Sequence, residues 1–316
     1  MNDIQRSLAV AFTDCLGVKP RETVLVVTDE GRLALGMAIR KASLRYARES
    51  LLAVMPVRAN NGQEPPPAVA AMMRGADAIL LATTRSLSHT QARERATAAG
   101  ARIASMPGAT AAMLRRTLAV DHRGLQRLCD RIIPRLSGAR TVRITTARGT
   151  DLTFSLRGRT ARPDHGIIRG PGGFTNLPAG EVYVAPLEGT ASGRLVIDGS
   201  VLQARVRRPI AVAVAGGVAV GVGPGREASR LWRELARHGR AGLNVAEFGI
   251  GINPAARITG NVLEDEKVLG TVHIAFGDNS HFGGLVRVPS HQDGIVKAPT
   301  VTIDGRTLID EGKLQL

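Results

Sequence analysis

Five residues in the second half of the chain form a donor set suited to metal chemistry: Glu181, Glu247, His273, His291 and Asp293. The pair His291 and Asp293 has the sharpest spacing. Apolar residues flank it in Val288–Val296 and suggest extended chain, where residues two apart project from the same face. An imidazole and a carboxylate would then point together. His273 lies in Gly270–Gly277, a short apolar run bounded by glycines that reads as a buried strand. A histidine there needs a polar partner. Taken one at a time these residues read as structural, since a single strand histidine is usually a hydrogen-bonded core residue and His-x-Asp often arises by chance. Their combination points to a metal site.

The segments around these residues resemble a known family. Asn176-Leu177-Pro178-Ala179-Gly180-Glu181-Val182-Tyr183, Ala246-Glu247-Phe248-Gly249-Ile250-Gly251, Asn253–Asn261, Gly270–Gly277 and His291-Gln292-Asp293 are similar to the M29 metalloaminopeptidases, the aminopeptidase T and aminopeptidase S group. The likeness extends upstream through Ser88–Arg93 and Ala101–Gly108, so it covers most of the chain. By that resemblance Glu181, Glu247, His273, His291 and Asp293 hold a two-metal centre of zinc, cobalt or manganese. Three carboxylates and two imidazoles can ligate two such ions while leaving positions open for water and substrate. Such a centre lowers the pKa of bound water and polarises a carbonyl. The resemblance therefore implies removal of N-terminal residues from peptides, or cleavage of a related small amide, with Glu181 also in the catalytic role.

One departure opens a second branch. Peptidases of this group carry a tyrosine beyond the first metal histidine, whereas this chain reads Gly277-Asp278-Asn279-Ser280-His281-Phe282-Gly283-Gly284, with Ser280 in that place and a shortened interval to His291. Ser280 cannot replace a phenol; His281 reads either as a proton donor or as a loop histidine open to water. The same motifs also resemble the 2,5-dihydroxypyridine dioxygenases, in which His273, His291 and Asp293 would form a two-histidine, one-carboxylate set on a single Fe(II). Glu181 and Glu247 would then hold a second metal or orient the ligands. Retention of both glutamates favours the hydrolase, which is the expectation; loss of the tyrosine favours the oxygenase. A third reading is a protein that binds metal or a small ligand without turnover.

Weaker candidates surround this set. His89 follows a predicted strand and reads as a helix-start residue beside the cap candidate Ser88, or as a substrate contact of an open α/β sheet. Asp278 and Asn279 could hydrogen-bond ligands or substrate, and Arg257 either neutralises a substrate carboxylate or pairs with a nearby acid. Asp265, Glu266 and Lys267 read as a solvated turn.

The elements that must position these groups divide the 316 residues into two expected domains. In residues 1–137, apolar runs at Thr23–Thr28, Leu51–Val57, Ala78–Thr83 and Arg102–Met106 alternate with helical stretches, which implies an α/β domain with a parallel sheet. Residues 138–316 carry short alternating strands separated by glycine turns, a β-rich α+β domain that holds the metal site. The boundary is expected near Ser137-Gly138.

Several classes are set aside. The run Gly216–Gly225 lacks the pattern of a dinucleotide fingerprint, because Pro224 interrupts it, and reads as a strand-to-helix turn. Net charge is +15, yet lysine occurs only at positions 19, 41, 267, 297 and 313, and the arginines are dispersed. With few aromatics for stacking, no nucleic-acid partner is expected; the substrate is a small molecule or peptide. No stretch suits a membrane span. Cys15 and Cys129 show no metal spacing and are expected reduced. Residues 1–10 lack a signal-peptide pattern, so a cytoplasmic protein is expected. The family resemblance implies a homodimer.

Overall fold

The structure is a computed structural model that describes residues 3–316; Met1 and Asn2, at the start of the stretch weighed as a signal peptide, lie outside the described residues. It divides into two compact units, one running through Gly124 and resuming at His165–Ala179, the other comprising Leu125–Asp164 and Gly180–Leu316.

The first unit is the expected α/β body. Its sheet has the order Glu49–Met55, Thr23–Asp29, Ala78–Ala82, Arg102–Ser105 and Phe174–Asn176, with every pairing parallel. Thr23–Asp29, Ala78–Ala82 and Arg102–Ser105 are buried almost throughout, which is why they read as continuous runs rather than alternating ones. Leu25, Val27, Ile79, Leu81 and Ile103 pack in one core cluster with Met55 and Met73. The helix Gln91–Ala98 is capped by Thr90, whose hydroxyl accepts from Arg93 N at 3.2 Å. Ser88 is therefore not the cap; its hydroxyl donates to Ser105 Oγ at 2.8 Å and ties the loop to a strand end.

The second unit is β-rich and antiparallel. An eight-stranded sheet runs in the order Val218–Val222, Ile210–Ala215, Ser192–Ile197, Asp151–Phe154, Val142–Thr145, Thr300–Ile303, Arg306–Asp310 and Lys313–Leu314. A five-stranded sheet has the order His291–Val296, Val272–Gly277, Val245–Gly251, Glu181–Val184 and Arg162–Asp164. Val182, Val184, Phe248, Ile250, Val272, Ile274 and Phe276 are buried and share one face of the smaller sheet. Phe248 meets Phe154 of the larger sheet edge to face, 5.3 Å between ring centroids.

A single cut after residue 137 does not describe the division. Residues 165–179 belong to the first unit because Phe174–Asn176 pairs with Arg102–Ser105 and extends the parallel sheet. The glycine run also differs from a strand-to-helix turn: Gly216 and Gly217, with φ of 56° and 78°, form the two-residue turn of a hairpin between Ile210–Ala215 and Val218–Val222. Among the described residues no helix is long and apolar enough to cross a membrane.

Candidate metal centre

Strand register, rather than any local motif, assembles the site. Directly opposed residues of an antiparallel pair share a face. In the five-stranded sheet Asp293 stands opposite Ala275 and Ala275 opposite Glu247. In the neighbouring row His273 faces Gly249, which faces Tyr183; in the next, Gly251 faces Glu181, which faces Asp164. His291 pairs with Gly277 on that same face. All five expected ligands thus leave the sheet together, on the side away from Phe248 and Ile250. A bulge between Val245 and Glu247 lets Val245 pair with Phe276 on the apolar face while Glu247 joins the polar one.

Small residues clear the space. Gly249 and Gly251 lie inside a fully buried strand rather than in a turn. A Cβ on Gly249 would stand 2.0 Å from His273 Nε2, so the imidazole lies across the bare backbone of its neighbour.

Atoms of Glu247, His273 and Asp293 lie within 4.8 Å of one another. His273 Nε2 donates to Glu247 Oε1 at 3.0 Å and is 3.4 Å from Glu181 Oε2. His291 Nδ1 donates to the Asp278 carbonyl at 2.8 Å, while its Nε2 faces Glu247 Oε2 at 3.4 Å and Asp293 Oδ1 at 3.5 Å. The Asp278 carbonyl on Nδ1 fixes the ring so that Nε2 points at the carboxylates, the orientation a metal-binding histidine takes once that nitrogen gives up its proton. Glu181 Oε2, His273 Nδ1 and Asp293 Oδ1 are buried without a hydrogen-bond partner among the described residues. Buried acceptors left unmatched in this way, beside two imidazoles, fit a divalent cation.

The electrostatics are those of a shared charge cluster. Burial opposes charge on Glu247, yet hydrogen bonds from His273 and His291 hold its carboxyl below the ordinary carboxylate range. Burial would lower both imidazoles, but Glu247 beside His273, and Asp293 with Glu247 beside His291, raise both. Burial pushes Glu181 and Glu266 up to about 8 each, against the pull of the Lys267 ammonium.

Lys267 is the residue the sequence reading missed. It is 0 % exposed, and its Nζ donates to Glu181 Oε1 and Glu266 Oε1 at 2.6 Å each, with Asp164 Oδ2 at 3.5 Å. Asp265 is equally buried and accepts from Thr259 N and Gly260 N, so this segment is an interior brace and not a solvated turn. The available signal was a lysine kept in a chain whose basic residues are nearly all arginine.

The remaining candidates fall elsewhere. Asp278 accepts from Ser280 N, Ser280 Oγ and Val288 N, and Asn279 from Val286 N, so both hold the loop that follows His273. Ser280, in the place of the peptidase tyrosine, points its hydroxyl at Asp278. His281 is exposed, its Nε2 3.9 Å from Asp278 Oδ1. Phe282 of this loop stands edge-on to Tyr183 at 5.7 Å and to His291 at 6.0 Å, an aromatic wall beside the ligands that no spacing rule indicated. Arg257 is exposed and offers its backbone N to Glu264 Oε1. His89 is exposed in the first unit, ahead of the Thr90 cap.

The comparison with protein families decides between the branches. Residues 8–316 match the family described as NicX, 2,5-dihydroxypyridine 5,6-dioxygenase. The chain belongs to this family. A 2,5-dihydroxypyridine 5,6-dioxygenase of Pseudomonas putida KT2440 is 24% identical over 192 residues, 56% of this chain and 55% of that protein, so the match spans about half the length of this curated relative. The solved 2,5-dihydroxypyridine dioxygenase from Pseudomonas putida KT2440 superposes with a TM-score of 0.82 at 20% identity, covering 99% of this chain and 96% of the other. Wild-type AmpT from Thermus thermophilus superposes with a TM-score of 0.69 at 17% identity over 99% of both chains.

Membership of the dioxygenase family overturns the aminopeptidase expectation. The likeness to the peptidases is one of fold. Retention of Glu181 and Glu247 had favoured hydrolysis, whereas His273, His291 and Asp293 fitted both branches; Ser280 in place of the peptidase tyrosine was the informative departure.

Proposed function

We propose that this chain is a mononuclear Fe(II) dioxygenase that opens a dihydroxylated pyridine ring, with His273, His291 and Asp293 as the iron ligands. The observation that carries the reading is the sheet face on which atoms of His273, Asp293 and Glu247 lie within 4.8 Å of one another and His291 Nε2 stands 3.5 Å from Asp293, with buried acceptor atoms left unmatched. Its support in chemistry is that two histidines and one carboxylate leave a face of iron open. When bound there, the iron supplies a place for dioxygen and for a chelating substrate to meet.

The protein's own residues do the rest. The Asp278 carbonyl fixes the His291 ring, and Glu247 takes hydrogen bonds from the imidazole side of the centre, so both rings are held in one orientation. Phe282 packs T-shaped against both His291 and Tyr183, an apolar aromatic surface beside the ligand His291 suited to a flat ring and to exclusion of water. Ring opening by a dioxygenase incorporates both atoms of O2 and breaks one ring carbon–carbon bond, so no external reductant is required. Anaerobic loading with Fe(II) followed by oxygen-electrode measurement with 2,5-dihydroxypyridine tests this: O2 uptake in step with loss of ring absorbance is expected. Iron-loaded protein that consumes no O2 with any dihydroxypyridine would overturn it.

A further inference from the structure

The buried acids of the five-stranded sheet fall into two groups with different counter-charges. Glu247 and Asp293 face imidazoles, whereas Glu181, Glu266 and Asp164 surround Lys267, with the other oxygen of Glu181 3.4 Å from His273 at the junction of the two groups. The second group has the makings of an ion site of its own, because atoms of Glu181, Glu266 and His273 also lie within 4.8 Å of one another. Its cation is already present. Lys267 Nζ sits 2.6 Å from one oxygen each of Glu181 and Glu266, on a side chain with no solvent exposure. The backbone behind it is anchored: Lys267 N donates to the Glu264 carbonyl at 3.0 Å, and the Lys267 carbonyl accepts from Asn253 N at 2.8 Å. A divalent ion drawn to Glu181 and Glu266 would have to share that space with an ammonium that cannot swing out to water, and like charges at such a distance repel strongly in a buried site.

We infer that the Lys267 ammonium is a tethered cation that fills the second cation position of the centre and restricts it to one metal ion. The inference rests on the metal-centre reading above and deepens it, since a single ion with an open face is what the proposed oxygenase needs. Lysine suits the role because it is a compact point charge on a flexible stem, unlike the planar arginine that the rest of the chain prefers. Lys267 is a specificity-determining residue for metal number and does not touch the reacting atoms.

The test is metal stoichiometry, read without turnover. Wild type, Lys267→Arg and Lys267→Met are dialysed against Mn(II), Co(II) or Zn(II), then analysed for bound metal per chain, with circular dichroism as the check on fold. One equivalent is expected for wild type and Lys267→Arg, and two for Lys267→Met. Two equivalents in wild type, or one in folded Lys267→Met, would overturn the proposal. Should Lys267→Met be insoluble, Lys267→Gln takes its place under the same two criteria. Insolubility of both neutral variants with divalent metal supplied also overturns it, because a second ion should stand in for the ammonium. Iron-loaded wild type with one equivalent but no O2 uptake would refute the oxygenase reading and leave this one standing.

Discussion

The parallel sheet of the first unit and the five-stranded sheet of the second both bury acids, yet they treat the acceptors of those acids in opposite ways. In the first, Thr28 Oγ1 donates to the Ala82 carbonyl at 2.8 Å, and both oxygens of the buried Asp29 are taken, by Thr84 N and by Thr84 Oγ1. In the second, Glu181, His273 and Asp293 each keep a buried polar atom without a hydrogen-bond partner among the described residues. An interior acid whose acceptors are matched serves the fold. One left unmatched costs stability unless a ligand matches it, and such groups mark where function is built.

The comparison is broken most directly at the ligands. Replacing His273 or Asp293 with alanine should abolish bound iron and reduce O2 uptake by about 100-fold or more, a loss beyond what outer residues of metal sites usually cause; elemental analysis and the oxygen electrode check it. Retention of full metal content in both variants would remove the site. Next, Gly249→Ala places a methyl where the His273 ring lies and should weaken metal binding roughly 10- to 100-fold. Gly221→Ala, with nothing within 4 Å of the added carbon, is the matched control and should leave affinity unchanged.

The first unit should respond in the other currency, stability. Leu81→Ala removes a fully buried side chain from the parallel sheet and should cost about 2–5 kcal/mol in denaturant unfolding, with metal per folded chain unchanged. The smallest effect is expected at the Glu22–Arg102 pair. Burial raises the Glu22 pKa, but hydrogen bonds from Arg102 and from the Lys19 backbone outweigh it, and the folded value is lowered. Its contribution is therefore present above the pKa of an unfolded glutamate, about 4.3, and is lost as pH falls through the lower folded value. Glu22→Gln should be less stable than wild type at pH 7, and the gap should close on acidification, as followed by thermal melts at stepped pH.

Much of this arrangement is legible along the chain because it depends on short-range geometry. Alternation with period two puts His291 and Asp293 on one face in any strand, and an unbroken aliphatic run such as Ala78–Ala82 marks a strand covered on both sides. These features need no knowledge of the neighbouring strand. The expected strand around His273, the α/β class of the first half and the β-rich class of the second follow from the same local rules.

What the sequence by itself determined, then, is the donor chemistry and part of what carries it: two glutamates, the His273 imidazole on an expected strand, and a His-x-Asp pair whose spacing puts both groups on one face. Tertiary structure alone decided which of them meet. Glu247 reaches His273 because strand register and a bulge bring positions 26 residues apart into hydrogen-bond range. Lys267 changes from a residue of an apparent surface turn into a buried cation because Glu181, 86 residues earlier, lies on the neighbouring part of the sheet. Residues 165–179 join the first unit through a strand pairing that no local composition encodes. Contacts between distant segments are set by the free energy of packing whole sheets together, and that quantity belongs to the folded chain rather than to any window of its sequence.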